Sequence, residues 1–299
     1  MEALENRRNP ILGIFLLVLV TALWGSTFPI LKVLIQTVPA SVINFIRFSI
    51  ACIILLPFAR NSKGLGKAGL ELGFWLFASF ATQLIGLFYT TSNRSAFITA
   101  LNVIFVPILW ALAGHRVRIL IWAAAGMALV GCGILSFDGT QPNLGDLWTL
   151  GTAISYAIYI IRLEIHSPKF PAISLATAQL IPILIFSAIW MLLDPAARSM
   201  KLSQIPWVWM LFLSIAATAG VICLQAVGQR MIDAPQAAVI YTLEPVFAAI
   251  IGYFMLNEVL GTRGLIGAAM ILIAAAGSQT VSVKPGKNLA TDIKSDEHR

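Results

Sequence analysis

The chemistry in this chain rests on a few polar side chains set inside long apolar runs. Glu244 lies about nine residues into one such run, roughly 13 Å deep at 1.5 Å per residue. A carboxylate there can hold a cationic group or carry a proton; the alternative is a structural partner for another helix, through Arg47 or a hydroxyl. Pro245 follows it and withholds an N–H from the Tyr241 carbonyl. Tyr241 shares the helical face of Glu244. Ser95, Thr99 and Asn102 stand at i, i+4 and i+7, the spacing of one polar stripe. Ala237, Tyr241 and Glu244 repeat that spacing. Two such stripes either line a cavity or hold helices together by hydrogen bonds. Further polar faces come from Gln83 with Gly86 and Thr90, from Tyr156 with Ser155 and Tyr159, and from Gln225 with Gln229. Trp24 lies deep in the first run. The candidate solute-binding set is therefore Trp24, Gln83, Thr99, Asn102, Tyr156, Tyr159, Gln225, Tyr241 and Glu244.

The interior prolines Pro29, Pro107, Pro182 and Pro245 are candidate hinges, with packing kinks as the alternative. Lys32, near a span end, reads as a snorkelling lysine. Arg47, about seven residues into its span, calls for a carboxylate or carbonyl partner.

The elements that must position these groups follow from composition. The 299 residues are 59% apolar and only 11% charged, with mean hydropathy +0.87. Soluble domains carry about 25% charge, so this chain cannot cover a water-soluble globule of its size. Ordinary cytosolic enzymes, disordered chains and secreted disulfide scaffolds are excluded; a polytopic membrane protein remains. Ten apolar runs reach the roughly 20 residues a bilayer needs: 11–34, 40–58, 69–91, 95–113, 118–136, 146–164, 172–193, 205–228, 235–256 and 262–282. They are uninterrupted rather than alternating, which predicts helices and not a barrel. The N-terminal run is too long for a signal peptide and reads as a retained span. With the N-terminus inside, fourteen Lys and Arg fall on the cytoplasmic side and four opposite, so both termini are expected in the cytoplasm. That bias also accounts for the net charge of +7 without nucleic acid. Residues 284–299 read as a disordered cytoplasmic tail.

Signatures of enzymes are absent from the sequence: there is no HExxH, GxSxG or GxxxxGK[ST]. His115, His166 and His298 are scattered, and Cys52, Cys132 and Cys223 sit singly in apolar runs. The expectation is no metal, no cofactor and no catalysis. The partners expected are a small-molecule substrate and the lipid bilayer, with the chain a monomer or a homodimer.

The chain also repeats. An offset of 142 lays residues 94–117 on 236–259 with six identities in 24 positions, including Leu101 on Leu243 and Phe105 on Phe247. It places Asn102 where Glu244 stands and Thr99 where Tyr241 stands. An offset of 132 sets Gly13 on Gly145 and Trp24 on Tyr156. Five spans per repeat is an odd number, so the second copy enters the bilayer from the other side. The expected fold is an all-α membrane protein, ten transmembrane helices arranged as two inverted five-helix repeats. Residues 1–139 and 140–283 are the two repeats.

The stretch Leu23-Trp24-Gly25-Ser26-Thr27-Phe28-Pro29-Ile30-Leu31-Lys32, then Ile46-Arg47-Phe48, resembles the drug/metabolite transporter superfamily, specifically its ten-helix EamA group. So do Leu243-Glu244-Pro245-Val246-Phe247-Ala248-Ala249, Glu258 and Gly267-Ala268. The usual Leu-Gly-Glu reads Leu256-Asn257-Glu258 here. The resemblance implies an inner-membrane secondary carrier, often an exporter of amino acids, amines, metabolites or drugs. A non-transporting membrane subunit or sensor stays open beside it.

Overall fold

The computed structural model describes residues 9–58, 63–136, 141–256 and 261–279, and these are helical apart from turns and short connections. Glu258, Gly139 and the tail 284–299 lie outside the described residues. The main helices are α1 (Pro10–Leu34), α2 (Ala40–Leu55), α3 (Leu65–Tyr89), α4 (Ser92–Ala100), α5 (Asn102–Leu112), α6 (Ile119–Ser136) and α7 (Leu144–His166). They continue as α8 (Ala172–Leu193), α9 (Trp207–Ser214), α10 (Val221–Gly228), α11 (Ala234–Tyr241), α12 (Glu244–Leu256) and α13 (Thr262–Gln279). Taken with their continuations, eight are long and apolar enough to cross a membrane, and Ile119–Leu135 is a shorter apolar helix. With the 18-residue α13 the helix count is consistent with the ten expected spans.

Local signals explain the helix ends. Asn9 caps α1 by accepting from the Leu12 amide. Asn143 and Asp146 form a capping box at the start of α7. Gly64 takes a left-handed φ of 87° and lets α3 begin ahead of its apolar run.

Three spans differ from the uninterrupted helices expected. The fourth breaks at Leu101 into α4 and α5, and the ninth breaks at Thr242–Leu243 into α11 and α12. At both breaks the bonding tightens to i−3: the Leu101 amide donates to the Ile98 carbonyl at 3.1 Å, and Leu243 to Ile240 at 3.0 Å. Pro245 is the second residue of α12, where a missing N–H costs nothing. The eighth span joins α9 to α10 through a π-helical turn, Ile215–Gly220. Pro29 and Pro182, by contrast, sit inside unbroken helices.

The packing exchanges when the halves are exchanged. Helix α3 packs on α7 as α10 packs on α1; α12 packs on α1 as α5 packs on α7; α8 packs on α3 as α9 packs on α2. The pairs α2–α8 and α6–α13 map onto themselves. Glycines set the closest crossings. A Cβ at Gly86 would lie 3.0 Å from the Gly145 carbonyl, and one at Gly13 3.3 Å from the Gly228 carbonyl. These four are equivalent: 86 and 228 differ by 142, 13 and 145 by 132. Gly131 and Gly267 similarly bring α6 onto α13, so this small-residue face packs internally. Without a hydrophobic driving force in lipid, such close contact is what holds helices together.

Candidate functional site

The two broken spans meet at the centre, α5 against α11 and α4 against α12. Each break puts a polar residue at the start of its second half-helix: Asn102 in α5, Glu244 in α12. A carboxylate in the first turn of a helix faces the positive end of the helix dipole, which eases its burial. Glu244 is nonetheless 8% exposed, and its carboxylate makes no hydrogen bond or ion pair among the described residues. What it faces is a cleft. The walls are Trp24 and Thr27 from α1, Ser79, Phe80 and Gln83 from α3, Thr99 from α4, Thr152 and Tyr156 from α7, and Glu244. Both halves therefore contribute. The cleft has about 350 Å³ of empty volume. All nine lining residues are buried, so a solute reaches them only if a wall moves.

Of the residues expected to bind solute, Trp24, Gln83, Thr99, Tyr156 and Glu244 stand in this wall. Tyr159, Gln225 and Tyr241 stand behind it as a buried polar network. Gln225 Nε2 donates to the hydroxyls of Tyr156 at 2.7 Å and Tyr241 at 3.0 Å. Tyr159 donates to Gln225 Oε1 at 3.5 Å, and Tyr241 donates to Gln229 Oε1 at 3.4 Å. Gln229 Nε2 donates on to the Ile160 carbonyl at 2.8 Å. Trp24 packs edge-on to Tyr156, ring centroids 5.4 Å apart. Asn102 is 1% exposed and outside the cleft lining. Its Oδ1, Thr99 Oγ1 and Ser95 Oγ are buried without hydrogen-bond partners, so the polar stripe on the fourth span is real but unsatisfied.

Arg47 does not pair with Glu244. It is fully buried, and its Nη2 donates to the Ala217 carbonyl at 2.8 Å while Nε donates to the Thr218 hydroxyl. Trp24 Nε1 donates to the same Ala217 carbonyl at 3.2 Å. That acceptor lies in the π-helical turn, whose wider winding is frequent at functional sites. The guanidinium also lies over the Phe80 ring, 4.5 Å from its centroid. Lys32 does not snorkel either: its Nζ donates to the Leu87 and Thr90 carbonyls at 2.6 and 2.7 Å.

Thr27, Ser79, Phe80 and Thr152 were not picked out from sequence. Ser79 precedes Gln83 by four residues and Thr152 precedes Tyr156 by four, so same-face spacing carried a signal for both. The π-helical turn leaves only the small-residue run Ala216-Ala217-Thr218-Ala219-Gly220 as its trace.

Ion pairs mark the two ends of the α3–α7 pair. At one, Arg94 meets Asp146 at 2.7 Å and the Thr90 hydroxyl donates to Asp146. At the other, Glu71 meets Arg162 at 2.5 Å and His166 at 2.8 Å. The tyrosine–glutamine network lies on the Glu71 side of the cleft. A second, larger cleft, with about 940 Å³ of empty volume, lies among Leu84, Phe88, Trp190 and Asp194 and includes none of the residues selected from sequence. Among the described residues, no cluster of His, Cys, Asp and Glu has the form of a metal site.

Comparison with known proteins places this architecture. The EamA-like transporter family matches the chain twice, over residues 11–137 and 143–279. An uncharacterized transporter of Archaeoglobus fulgidus is 31% identical over 260 residues, covering 86% of this chain and 82% of the relative. The uncharacterized transporter YetK of Bacillus subtilis is 22% identical over 272 residues, 84% of this chain and 82% of YetK. A crystal structure superposes with a TM-score of 0.73 at 17% identity, covering 89% of this chain and 96% of that one; at that identity the likeness is one of fold.

Proposed function

The chain belongs to the EamA-like transporter family, and from that premise we propose that it is a secondary transporter exporting small organic solutes by alternating access. Amino acids, amines, metabolites and drugs are the solute classes considered. The observation that carries the reading is the Glu244 carboxylate, without a hydrogen bond or ion pair among the described residues, in a cleft walled by both halves. A buried charge without a partner is costly, and a passing cation or proton would relieve it. Trp24, Phe80 and Tyr156 supply aromatic faces for the rest of the solute, and Gln83, Thr99 and Thr152 supply hydrogen bonds. The lining of the cleft is buried throughout, which supports a cycle in which the walls part. The breaks at Leu101 and Thr242–Leu243 are the natural pivots, with Pro245 beside the second and Pro107 six residues past the first, inside α5. Pro29 and Pro182 are hinge candidates of the same kind within continuous helices.

The protein resides on this reading in the inner (plasma) membrane with both termini cytoplasmic. That assignment makes the Glu71 end the inner one. The cleft lies within one chain, so a monomer suffices.

The test is a thermal-shift screen of purified protein against a metabolite library, followed by flux of the hits in proteoliposomes. Stabilisation by one solute class, lost in Glu244→Gln and matched by flux, supports the proposal. Hits that bind Glu244→Gln equally well would remove Glu244 from the site. Absence of flux for every stabilising solute would remove transport.

A further inference from the structure

The eight deep polar positions form four equivalent pairs. Offset 132 relates Trp24 to Tyr156; offset 142 relates Gln83 to Gln225, Thr99 to Tyr241 and Asn102 to Glu244. Their environments differ. In the second half, Gln225 ties Tyr156 to Tyr241 through two hydrogen bonds and seals the Glu71 side of the cleft. In the first half, Gln83 stands in the cleft wall and makes no hydrogen bond among the described residues. Thr99, its would-be partner, has a buried hydroxyl with none either. Trp24, the counterpart of Tyr156, spends its N–H on the Ala217 carbonyl. One copy of the constellation is latched and the other is open.

We propose that Gln83 and Gln225 are alternating latches, and that Gln83 closes the Asp146 side of the cleft when Gln225 lets go of the tyrosines. The inference rests on the reading of the chain as an alternating-access transporter, and its readout needs no solute. Two inverted copies of one bundle can exchange conformations, and the exchange turns the cleft toward the other face. The donors and acceptors balance. Gln83 Oε1 accepts from Trp24 Nε1, and Gln83 Nε2 donates to Thr99 Oγ1. Two groups left idle in the present conformer, Gln83 and Thr99, are then satisfied, while Gln225 takes the open role. A buried hydroxyl without a partner, as at Thr99, is a group that a second arrangement can satisfy. Gln83 thus acts as a positioning residue for the walls.

Paired reporters test this. Thr152 lines the cleft on the Asp146 side, and its equivalent across the repeat, 132 residues earlier, is Val20 in α1; both are buried here, so labelling at either reads opening of its own side. Single cysteines at Thr152→Cys and Val20→Cys, with Cys52, Cys132 and Cys223 replaced by Ala, are labelled with a polar maleimide in nanodiscs, where both faces meet the reagent. Gln225→Leu is expected to raise labelling at position 20 and lower it at position 152 by about fivefold, equivalent to ~1 kcal/mol at 1.4 kcal/mol per tenfold. Gln83→Leu is expected to do the reverse. A residue that merely packs cannot move two symmetric reporters in opposite senses. Equal changes at both reporters, or none, overturn the proposal; Gln83→Asn and Gln225→Asn are expected to shift the reporters in the same senses as the leucine variants, and opposite senses overturn it too. Reciprocal shifts without flux of any solute would uphold the latch and count against transport.

Discussion

Lys32 and Glu164 hold equivalent places in the two halves, 132 residues apart, and carry opposite charge. Each secures the turn between two spans of its own half. Lys32 reaches the end of α3, where the Leu87 and Thr90 carbonyls point out. Glu164 reaches the start of α11, where its carboxylate accepts from the Ala234 amide at 2.5 Å. The end of a helix presents carbonyls and its beginning presents amides, so each position takes the sign its helix terminus asks for. Related geometry therefore does not require related residues. The same holds at the centre, where the first half-helix of the pair begins on Asn102 and the second on Glu244. It holds again at the crossings, where Gly86 meets the Thr149 hydroxyl and Gly228 meets the Leu17 side chain.

The largest break in this comparison comes from erasing the difference at the centre. Glu244→Gln makes the two half-helix starts alike in charge, and solute flux in proteoliposomes should fall about tenfold to a hundredfold, the size of a lost charged hydrogen bond. The same variant should melt no lower than the parent, because the amide replaces a charge that had no partner. A flux unchanged by this substitution would mean that the halves differ there for packing reasons.

Next in size are the glycine crossings. An added methyl at Gly86 would lie 2.4 Å from Thr149 Oγ1 and 3.0 Å from the Gly145 carbonyl, so Gly86→Ala is expected to cost about 1–3 kcal/mol in unfolding measurements. At Gly228 the nearest atoms are those of the Leu17 side chain, 2.9 Å away, which can yield. Gly228→Ala should cost visibly less, and equal losses would show that α1 cannot shift beside α10.

The turn contacts should follow. Lys32→Met and Glu164→Gln are each expected to lower stability by about 1–2 kcal/mol, with Lys32→Glu worse than Lys32→Met because it sets a carboxylate against carbonyls. Thermal melts of the three variants check the order. Smallest of all is Arg162→Gln at the Glu71 end. Its side chain is 36% exposed, and an exposed pair of this kind contributes about 0–1 kcal/mol.

Much of the fold could be read along the chain. A bilayer leaves few options for twenty-residue apolar runs, and ten of them in two related sets of five imply the inverted plan. The stripe Ser95, Thr99, Asn102 was visible because helical spacing is periodic. What spacing could not reveal is where a helix stops being regular. Thr99 and Asn102 are on opposite sides of the break at Leu101, and only Thr99 reaches the cleft. Arg47 could be seen to need an acceptor, but the acceptor is a carbonyl of a π-helical turn 170 residues away. No local rule in Ile215–Gly220 announces that turn.

By itself the sequence determined the class, the span count, the repeat and the short roster of polar groups that a membrane interior makes expensive. These depend on composition and periodicity, which act residue by residue. The tertiary structure decided which of those groups face one another: that, among the described residues, Glu244 and Gln83 have no hydrogen-bond partner while Gln225 is tied, and that Lys32 and Glu164 guard opposite helix termini. Those outcomes depend on how separate spans pack, within a half as well as between the halves, and contacts between spans leave no period to read.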